Sequence, residues 1–365
     1  MQAPQQGPGH ETNMLRRQAL EAWFTAQCQS LGLGTPADGI APVSGDASFR
    51  RYFRGVTTQG QWILVDAPPD KEDSRPFLAV QALLQQGAVQ VPQVFAADLQ
   101  QGFMCLQDFG SDLLWPALDL ARQRGDLAAA GALYREALAE LLKIQHCPAH
   151  ALPPYDTALL RREVLLFRDW LCAGILGMTL GAEDQRLLEA LFDLLVQSAL
   201  EQPRVFVHRD YHSRNLMLLP SGIGVIDFQD AVQGPFSYDL VSLLKDCYIA
   251  WPDASVQAWA LDYLARASDA RLVPQLDERA FLRSFDLMGV QRHLKAAGIF
   301  CRLWLRDGKP GYLGDIPRTL GYIMQLSARD GIIGEFRDWL DVKVLAQLQE
   351  ACSKALQQPR PGQSA

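Results

Sequence analysis

Four polar residues stand at fixed offsets between apolar stretches in the middle of the chain: His208, Asp210, Asn215 and Asp227. Transfer of a phosphoryl group from ATP to a hydroxyl needs a carboxylate that orients the hydroxyl and accepts its proton. It also needs Mg²⁺, which takes hard oxygen ligands from acids and amides. The spacing therefore predicts Asp210 as the base and Asn215 and Asp227 as the Mg²⁺ ligands.

This order of residues, H-x-D-x-x-x-x-N followed by I-D-F, resembles the catalytic and metal motifs of the kinase-like superfamily. His212 and the pair Asp227–Asp230 fit the aminoglycoside phosphotransferase pattern, HGDLHxxN and then IDFxDA, better than the protein-kinase pattern with DFG. The resemblance implies an α+β, bilobal, protein-kinase-like fold with ATP and Mg²⁺ as cofactors. It also implies structural roles for Asp230 and for Asp239, which begins a buried helix in GPFSYDLVSLL and braces the loops.

Two other interpretations of the segment are weaker. Asp and Asn between strands are commonly turn residues or caps, but four such positions in this order would be an unusual coincidence. His208 and His212 have the i, i+4 spacing of a zinc pair, yet the Glu of HExxH is missing. We expect His208 to be structural and to bond backbone groups near the loop, because the base and metal roles are already filled.

The elements around this segment indicate two lobes. A helix is predicted from Thr12, as its cap, to about Leu31, followed by the strand-like runs SFRRYFRGV, QWILVD and GFMCLQ. One helix, RPFLAVQALLQQ, is predicted between QWILVD and GFMCLQ, and it ends at Gly87. Helical periodicity dominates residues 128–146, 156–173 and 184–200, strands return over 205–228, and helices then continue to about 355.

These patterns give five segments. We predict a disordered tail (1–11), an N-terminal nucleotide-binding lobe (12–107), a hinge (108–112), a C-terminal catalytic and acceptor-binding lobe (113–355) and a second disordered tail (356–365). A nucleotide is expected in the cleft between the lobes.

Composition excludes several classes of protein. The 41 acidic residues exceed the 34 Lys and Arg, and the net charge of −7 disfavours nucleic acid and anionic membranes. The seven cysteines are scattered singly and suit buried thiols in a reducing compartment. No secretion signal or membrane-spanning run is seen, so we expect a cytoplasmic enzyme.

The N-terminal lobe departs from the protein-kinase pattern at one position. Asp66 ends the strand WILVD where a phosphate-binding lysine would stand, and the next helix contains no acid. A different cation, or Mg²⁺ nearly alone, must neutralise the phosphates, which also leaves open a pseudokinase adaptor. The candidate cations are Lys71, Arg50, Arg51 and Arg54. The other candidate nucleotide contacts are Gln107 and Asp108 of the hinge side, and Ser44, Gly45, Asp46, Ala47 and Ser48, a small-residue loop that could cover phosphates.

Residues 287–306 contain basic side chains at helical spacing and no acid, which suits a neutral or anionic acceptor better than a polycation. Trp304 and Tyr312 could stack on a sugar ring, although a solvated basic face with Trp304 in the core explains the pattern equally well. The candidate acceptor contacts are His212, Arg292, His293, Arg302, Trp304 and Tyr312.

A narrower resemblance refines the acceptor. VDAPPDKED, QRHLKAAGIF and RDGKPGYL resemble the bacterial anomeric amino-sugar kinases, which phosphorylate the C1 hydroxyl of N-acetylmuramate and N-acetylglucosamine in peptidoglycan recycling. The resemblance implies an α-1-phosphate product that passes to a separate uridylyltransferase. The lactyl carboxylate of N-acetylmuramate agrees with the basic segment, and kinases of aminoglycosides, choline or homoserine remain alternatives.

Overall fold

The computed structural model describes residues 8–43, 49–326 and 331–357. Within these ranges a lobe built on an antiparallel sheet is followed by a larger, mainly helical lobe. None of the helices described is long and apolar enough to cross a bilayer.

The N-terminal lobe combines one sheet with two helices. Its elements are α1 (Pro8–Leu31), β1 (Ala41–Pro42), β2 (Arg51–Thr57), β3 (Gly60–Asp66), α2 (Arg75–Gln86), β4 (Val94–Asp98) and β5 (Phe103–Gln107). The strands pair antiparallel in the order β1-β2-β3-β5-β4. Helix α2 carries Pro76 in its first turn, where a missing N–H costs little, and it ends before Gly87.

The C-terminal lobe is mostly helical. Its helices are α3 (Leu114–Gln123), α4 (Leu127–His146), α5 (Thr157–Leu166), α6 (Ala182–Leu200), α7 (Ser237–Leu244), α8 (Asp253–Asp269), α9 (Glu278–Leu305), α10 (Ile316–Met324), α11 (Gly331–Trp339) and α12 (Ala346–Gln357). The π-helical segments Phe167–Ile175 and Leu340–Leu345 continue α5 and α11, and a 3₁₀ segment, Pro310–Asp315, precedes α10. Helix α9 is buried along most of its length and contacts α5, α6, α7 and α10.

Two short antiparallel pairs interrupt the helices and carry the loops of interest. Strand β6 (Arg204–Val207) pairs with β9 (Val232–Pro235), and β7 (Leu216–Leu219) pairs with β8 (Gly222–Val225). Residues 208–215 run from β6 to β7, while residues 226–231 run from β8 to β9. Both loops therefore connect the β6–β9 pair with the β7–β8 pair, which places the two loops side by side.

The hydrophobic core joins the two lobes. Its largest cluster contains Phe77 and Leu84 of α2 together with Leu141 of α4 and Phe206 of β6. A second cluster surrounds α9. A third cluster holds α1 on the outer face of the sheet.

Several sequence expectations need correction at the element ends. Helix α1 begins at Pro8, so Thr12 is not its cap and residues 8–11 are helical rather than disordered. Helix α12 ends at Gln357, beyond the predicted boundary at 355. Strands β1, β4 and β9 were not predicted. The remaining residues of both predicted tails lie outside the described ranges.

Candidate active site

The two connecting loops meet at Asn215. Its Nδ2 group donates to the backbone oxygen of Asp210 at 3.0 Å and to Asp227 Oδ2 at 3.1 Å. The turn is tightened by backbone bonds from His212 N–H to Asp210 O at 3.0 Å and from Asn215 N–H to His212 O at 2.9 Å. The three residues whose spacing predicted joint action therefore lie side by side.

Both loops contain a residue in the left-handed region, with φ of +78° at Arg209 and +66° at Asp227. Such a conformation costs about 1–3 kcal/mol for a non-glycine residue, so surrounding contacts must hold it. Asp239 in the first turn of α7 accepts the backbone N–H groups of His208 at 2.6 Å and Arg209 at 3.0 Å. Burial raises the pKa of Asp239 to about 7, although these donors act to lower it. Gln229 Nε2 donates to Asp227 Oδ1 at 2.9 Å.

His208 ties one loop to the other through backbone groups. Its Nδ1 accepts the Asp210 N–H at 3.2 Å, so Nε2 carries the proton and donates to Ile226 O at 3.1 Å. Burial lowers the pKa of His208 to about 4, which keeps the imidazole neutral near pH 7. Asp230 is exposed, and its backbone oxygen accepts from Arg209 Nη1 at 3.3 Å. These are contacts of the kind that a structural role for His208 requires.

Positive charge surrounds the Asp210 carboxylate. Burial alone would raise the pKa of Asp210, but nearby cations, with Lys295 first among them, hold it below its ordinary value. Arg209 and Arg292 act in the same direction. The carboxylate is therefore ionised at neutral pH, as a proton acceptor must be.

A buried acid on α5 organises these cations. Glu163 accepts from Arg209 Nη2 at 2.5 Å, from Lys295 Nζ at 3.1 Å and from the Tyr155 hydroxyl. Lys295 Nζ also donates to Tyr238 OH at 2.9 Å. Sequence analysis did not single out Glu163, although a lone acid on the apolar face of a helix was a usable signal.

A cavity of about 510 Å³ lies between the lobes, next to Asn215 and Asp227. Its N-terminal wall is formed by β2, β3 and β5, and residues 108–111 form its back. Gln107 and Asp108, both predicted nucleotide contacts, line it. Asp108 is ion-paired with Arg54, which donates through Nε at 2.5 Å and Nη2 at 3.0 Å.

The remaining predicted phosphate contacts are dispersed. Residues 44–48 lie outside the described ranges. Lys71 is exposed, with Nζ 5.5 Å from the centre of the Phe49 ring. Arg50 is buried and forms an ion pair with Glu72 at 3.0 Å.

Two of the predicted acceptor residues belong to one row of aromatic rings. The His212 ring lies edge-on to Tyr248 with centroids 5.3 Å apart, and Tyr248 is followed by Phe300 at 6.3 Å. Tyr312 stacks on Phe300 at 5.5 Å. Arg214, which was not predicted, places its guanidinium 3.6 Å from the centre of the Tyr248 ring.

The other predicted acceptor residues occupy different surroundings. Arg292 is buried near Asp210, and its Nη1 contacts Cys247 Sγ at 3.3 Å. His293 stacks on Tyr322 and bonds the backbone oxygen of Lys245 at 2.9 Å. Trp304 is buried and lines a separate cavity of about 290 Å³ beside α12. Arg302 is partly buried on the same part of α9. The structure thus divides the basic segment instead of exposing it as one face.

Comparison with known proteins shows the family of the chain. The profile of a family described as "Phosphotransferase enzyme family" matches residues 39–282. The chain belongs to this family. The matched region of the phosphotransferase contains the interlobe cavity and both loops of the site.

Curated relatives match this phosphotransferase over nearly its whole length. A protein of Pseudomonas putida named N-acetylmuramate/N-acetylglucosamine kinase is 42% identical over 348 residues, 94% of this chain and 98% of the relative. A protein of the same name from Pseudomonas aeruginosa is 44% identical over 331 residues, 89% of this chain and 96% of the relative.

Solved structures show the same kinase-like fold. The choline kinase LicA from Streptococcus pneumoniae superposes with a TM-score of 0.56 at 13% identity, covering 83% of this chain and 98% of that one. An ethanolamine kinase from Plasmodium vivax gives a TM-score of 0.57 at 9% identity, covering 77% and 81%. These two likenesses concern the fold alone.

Proposed function

We propose that this phosphotransferase transfers the γ-phosphoryl group of ATP to the anomeric C1 hydroxyl of N-acetylmuramate and N-acetylglucosamine. The observation that carries the proposal is the 42% identity to a kinase named for these two sugars across 94% of the chain. The proposal is compatible with the site, since one ionised carboxylate lies beside two side chains that offer hard oxygen atoms.

We assign ATP to the interlobe cavity and Mg²⁺ to Asn215 and Asp227. Their donor chemistry fits this ion, because an amide oxygen and a carboxylate are the ligands that Mg²⁺ prefers. Asn215 makes both of its hydrogen bonds to Asp210 and Asp227 through Nδ2. Its Oδ1 is therefore the atom that we assign as a ligand of the ion. Bound Mg²⁺ would neutralise charge on the phosphate oxygens.

Asp210 acts as the base in this proposal. Its carboxylate accepts the proton of the acceptor hydroxyl while that oxygen bonds to phosphorus and the bond from phosphorus to the ADP oxygen breaks. Holding the hydroxyl in line with that bond supplies much of the rate. The anomeric hydroxyl is more acidic than an ordinary sugar hydroxyl, which eases proton transfer to a carboxylate of lowered pKa.

The acceptor site is proposed along the aromatic row that begins at His212. Tyr312 stacks one ring face on Phe300, and its other face is the one that we assign to a sugar ring. Arg292 supports an anionic acceptor, since it is a buried cation near Asp210 and its Nε has no hydrogen-bond partner among the described residues. The lactyl carboxylate of N-acetylmuramate is the group that we assign to it.

The product would be an α-1-phosphate, which a separate uridylyltransferase would consume. We place this reaction in the cytoplasm, in keeping with the cysteines, which are free thiols and mostly buried in the described residues.

A panel of acceptors with ATP and Mg²⁺ tests the proposal. We expect turnover with N-acetylmuramate and N-acetylglucosamine, and ³¹P NMR of the product should show an anomeric phosphate. Asp210→Asn should reduce the rate by about 100-fold or more while ADP affinity stays within about twofold, because the substitution keeps shape and removes only the proton acceptor. Turnover with an aminoglycoside, choline or homoserine but not with the amino sugars would overturn the assignment of the acceptor. No turnover with any acceptor would favour a nucleotide-binding adaptor.

A further inference from the structure

The position that holds a phosphate-binding lysine in protein kinases is used for a different purpose in this chain. Asp66 at the end of β3 is fully buried, and its carboxylate forms ion pairs with Arg16 of α1 and Arg51 of β2. An ionised carboxylate has no donor for a phosphate oxygen, so Asp66 cannot do what the lysine does. Helix α2 contains no acid, so the usual partner of the lysine is missing as well.

Another pair of a cation and an acid in the N-terminal lobe could replace the lysine and its acidic partner. Arg50 Nη2 lies 3.0 Å from Glu72 Oε1, and the Arg50 side chain is 2% exposed. Arg50 stands just before β2, whereas Glu72 stands in the turn between β3 and α2, where its N–H donates to Pro68 O at 2.9 Å. Relative to the protein-kinase arrangement, the cation of this pair therefore lies outside β3 and its acid lies outside α2.

Ring contacts connect Arg50 to the loop that carries the proposed Mg²⁺ ligand. The Arg50 guanidinium carbon lies 5.9 Å from the centre of the Phe77 ring. Phe77 in turn packs on Phe228 with ring centroids 4.9 Å apart. Phe228 directly follows Asp227, and both phenylalanines line the interlobe cavity. Arg50 therefore stands behind the cavity wall that faces Asp227.

The neighbouring cations are committed to other contacts or lie at the surface. Arg51 pairs with Asp66, and Arg54 pairs with Asp108 while donating to Gly110 O at 3.0 Å. Lys71 is exposed beside Phe49. Arg54 lines the cavity itself, but both edges of its guanidinium group are used by Asp108 and Gly110. Arg50 is buried, has an acidic partner and packs on Phe77, a residue of the cavity wall.

We infer that Arg50 is the cation that binds the nucleotide phosphates, and that Glu72 orients its guanidinium group. This inference rests on the proposed use of ATP. A guanidinium group presents donors along two edges, so one edge can bond Glu72 while another reaches a phosphate oxygen. A lysine at this position would lack that second edge.

Calorimetric titration of the whole protein with ADP and with adenosine, both in the presence of Mg²⁺, tests the inference. Arg50→Met should weaken ADP binding by about 10- to 100-fold, the range for loss of a charged hydrogen bond. Adenosine affinity should stay within about twofold, because adenosine has no phosphate. Arg50→Lys should retain part of the ADP affinity, and Glu72→Gln should weaken ADP binding by less than Arg50→Met does. Arg75→Met, an exposed arginine of the same lobe paired with Asp73, is the matched control and should leave both affinities unchanged.

Three outcomes would overturn the inference. The first is wild-type ADP affinity in a folded Arg50→Met or Arg50→Lys protein. The second is an equal loss of ADP and adenosine binding, which indicates damage to the lobe. The third is a selective loss of ADP binding in Lys71→Met with none in Arg50→Lys, which assigns the phosphates to Lys71. No acceptor sugar is used, so an error in the proposed acceptor leaves the result intact, whereas a wild-type protein that binds no ADP would refute the nucleotide assignment too.

Discussion

Single residues of the site are held in conformations that their own backbone disfavours. Arg209 has a positive φ at a position where the related pattern HGD places glycine. Its guanidinium bonds Glu163, and its N–H bonds Asp239, so side-chain contacts offset a backbone cost of about 1–3 kcal/mol. The same Glu163 fixes Lys295, and through Lys295 it influences the charge state of Asp210.

Removing the Lys295 charge should change the pH dependence of transfer. The pKa of Asp210 is lowered in the folded protein, so kcat/KM is full above that pKa and falls as the pH drops through it. Lys295→Met removes the first of the charges that lower this pKa, so the acid limb of the kcat/KM profile should move to higher pH. Rates measured across the acid range with saturating ATP give the limb directly.

The matched control for this prediction is Lys245→Met. Lys245 is also buried and ion-paired, with Asp286 at 2.7 Å, but it is not among the charges that most influence Asp210. We expect its acid limb to coincide with that of the wild type. Equal shifts in both variants, or no shift in Lys295→Met, would contradict a direct electrostatic role.

At the scale of elements, the sequence predicts what local patterns determine. The α2 pattern, with Gly87 at its end, matches the helix that the structure contains. Strands β4 and β9 escaped prediction because their residues disfavour strands. VFAAD ends in Ala, Ala and Asp, and VQGP contains both Gly and Pro, so pairing partners rather than local preference make them strands.

The candidate site also contains residues that local patterns group and residues that only the fold brings together. Local spacing sufficed to group Asp210, Asn215 and Asp227, because one strand pair connects them. The charges of α9 could not be interpreted in this way, since periodicity gives the face of a helix but not what covers it. The acid that faces Lys295 is Glu163, which lies on a different helix far away in the sequence.

Asp66 in β3 connects helix α1 to the sheet, because it forms ion pairs with both Arg16 of that helix and Arg51 of β2. Asp66→Asn keeps the shape but removes the charge that both guanidinium groups face. Loss of one partner from a buried ion pair costs about 3–5 kcal/mol, and since both arginines are partly exposed we expect about 2–3 kcal/mol. The free energy of unfolding from urea titration measures the loss.

Arg75→Met serves as the control for this substitution, because its ion pair with Asp73 is exposed and should change stability by less than about 1 kcal/mol. A stability of Asp66→Asn equal to that of the wild type would show that the apolar contacts of Phe24 and Leu20 suffice to hold α1.

At the scale of the whole molecule, the two lobes share one hydrophobic core. Gln90, in the connection after α2, donates its N–H to Glu140 Oε1 at 2.7 Å, and its backbone oxygen accepts from Val225 N–H at 2.7 Å. Its side chain exchanges hydrogen bonds with Ser221. This connection therefore fixes the end of α2 to the C-terminal lobe. We expect the lobes to unfold together.

Gly87 and Cys147 test this coupling, because they meet where α2 passes the end of α4. A Cβ atom on Gly87 would lie well inside van der Waals contact with Cys147 Sγ, although the backbone there suits an L-residue. Gly87→Ala should therefore destabilise the protein by about 1–3 kcal/mol through overpacking. Thermal unfolding followed by circular dichroism and tryptophan fluorescence should still give one common transition, at a lower Tm.

The double variant separates this contact from a general effect on α2. In Gly87→Ala with Cys147→Ala, the sulfur that opposes the new methyl group is gone, so the loss should be smaller than the sum of the two single losses. Gly311→Ala is the control, since nothing lies within 4 Å of its added Cβ, and its Tm should match the wild type. Additive losses would place the strain within α2. Separate transitions for the two probes would show that the shared core does not make the lobes one cooperative unit, and the nucleotide would then bind between bodies that fold independently.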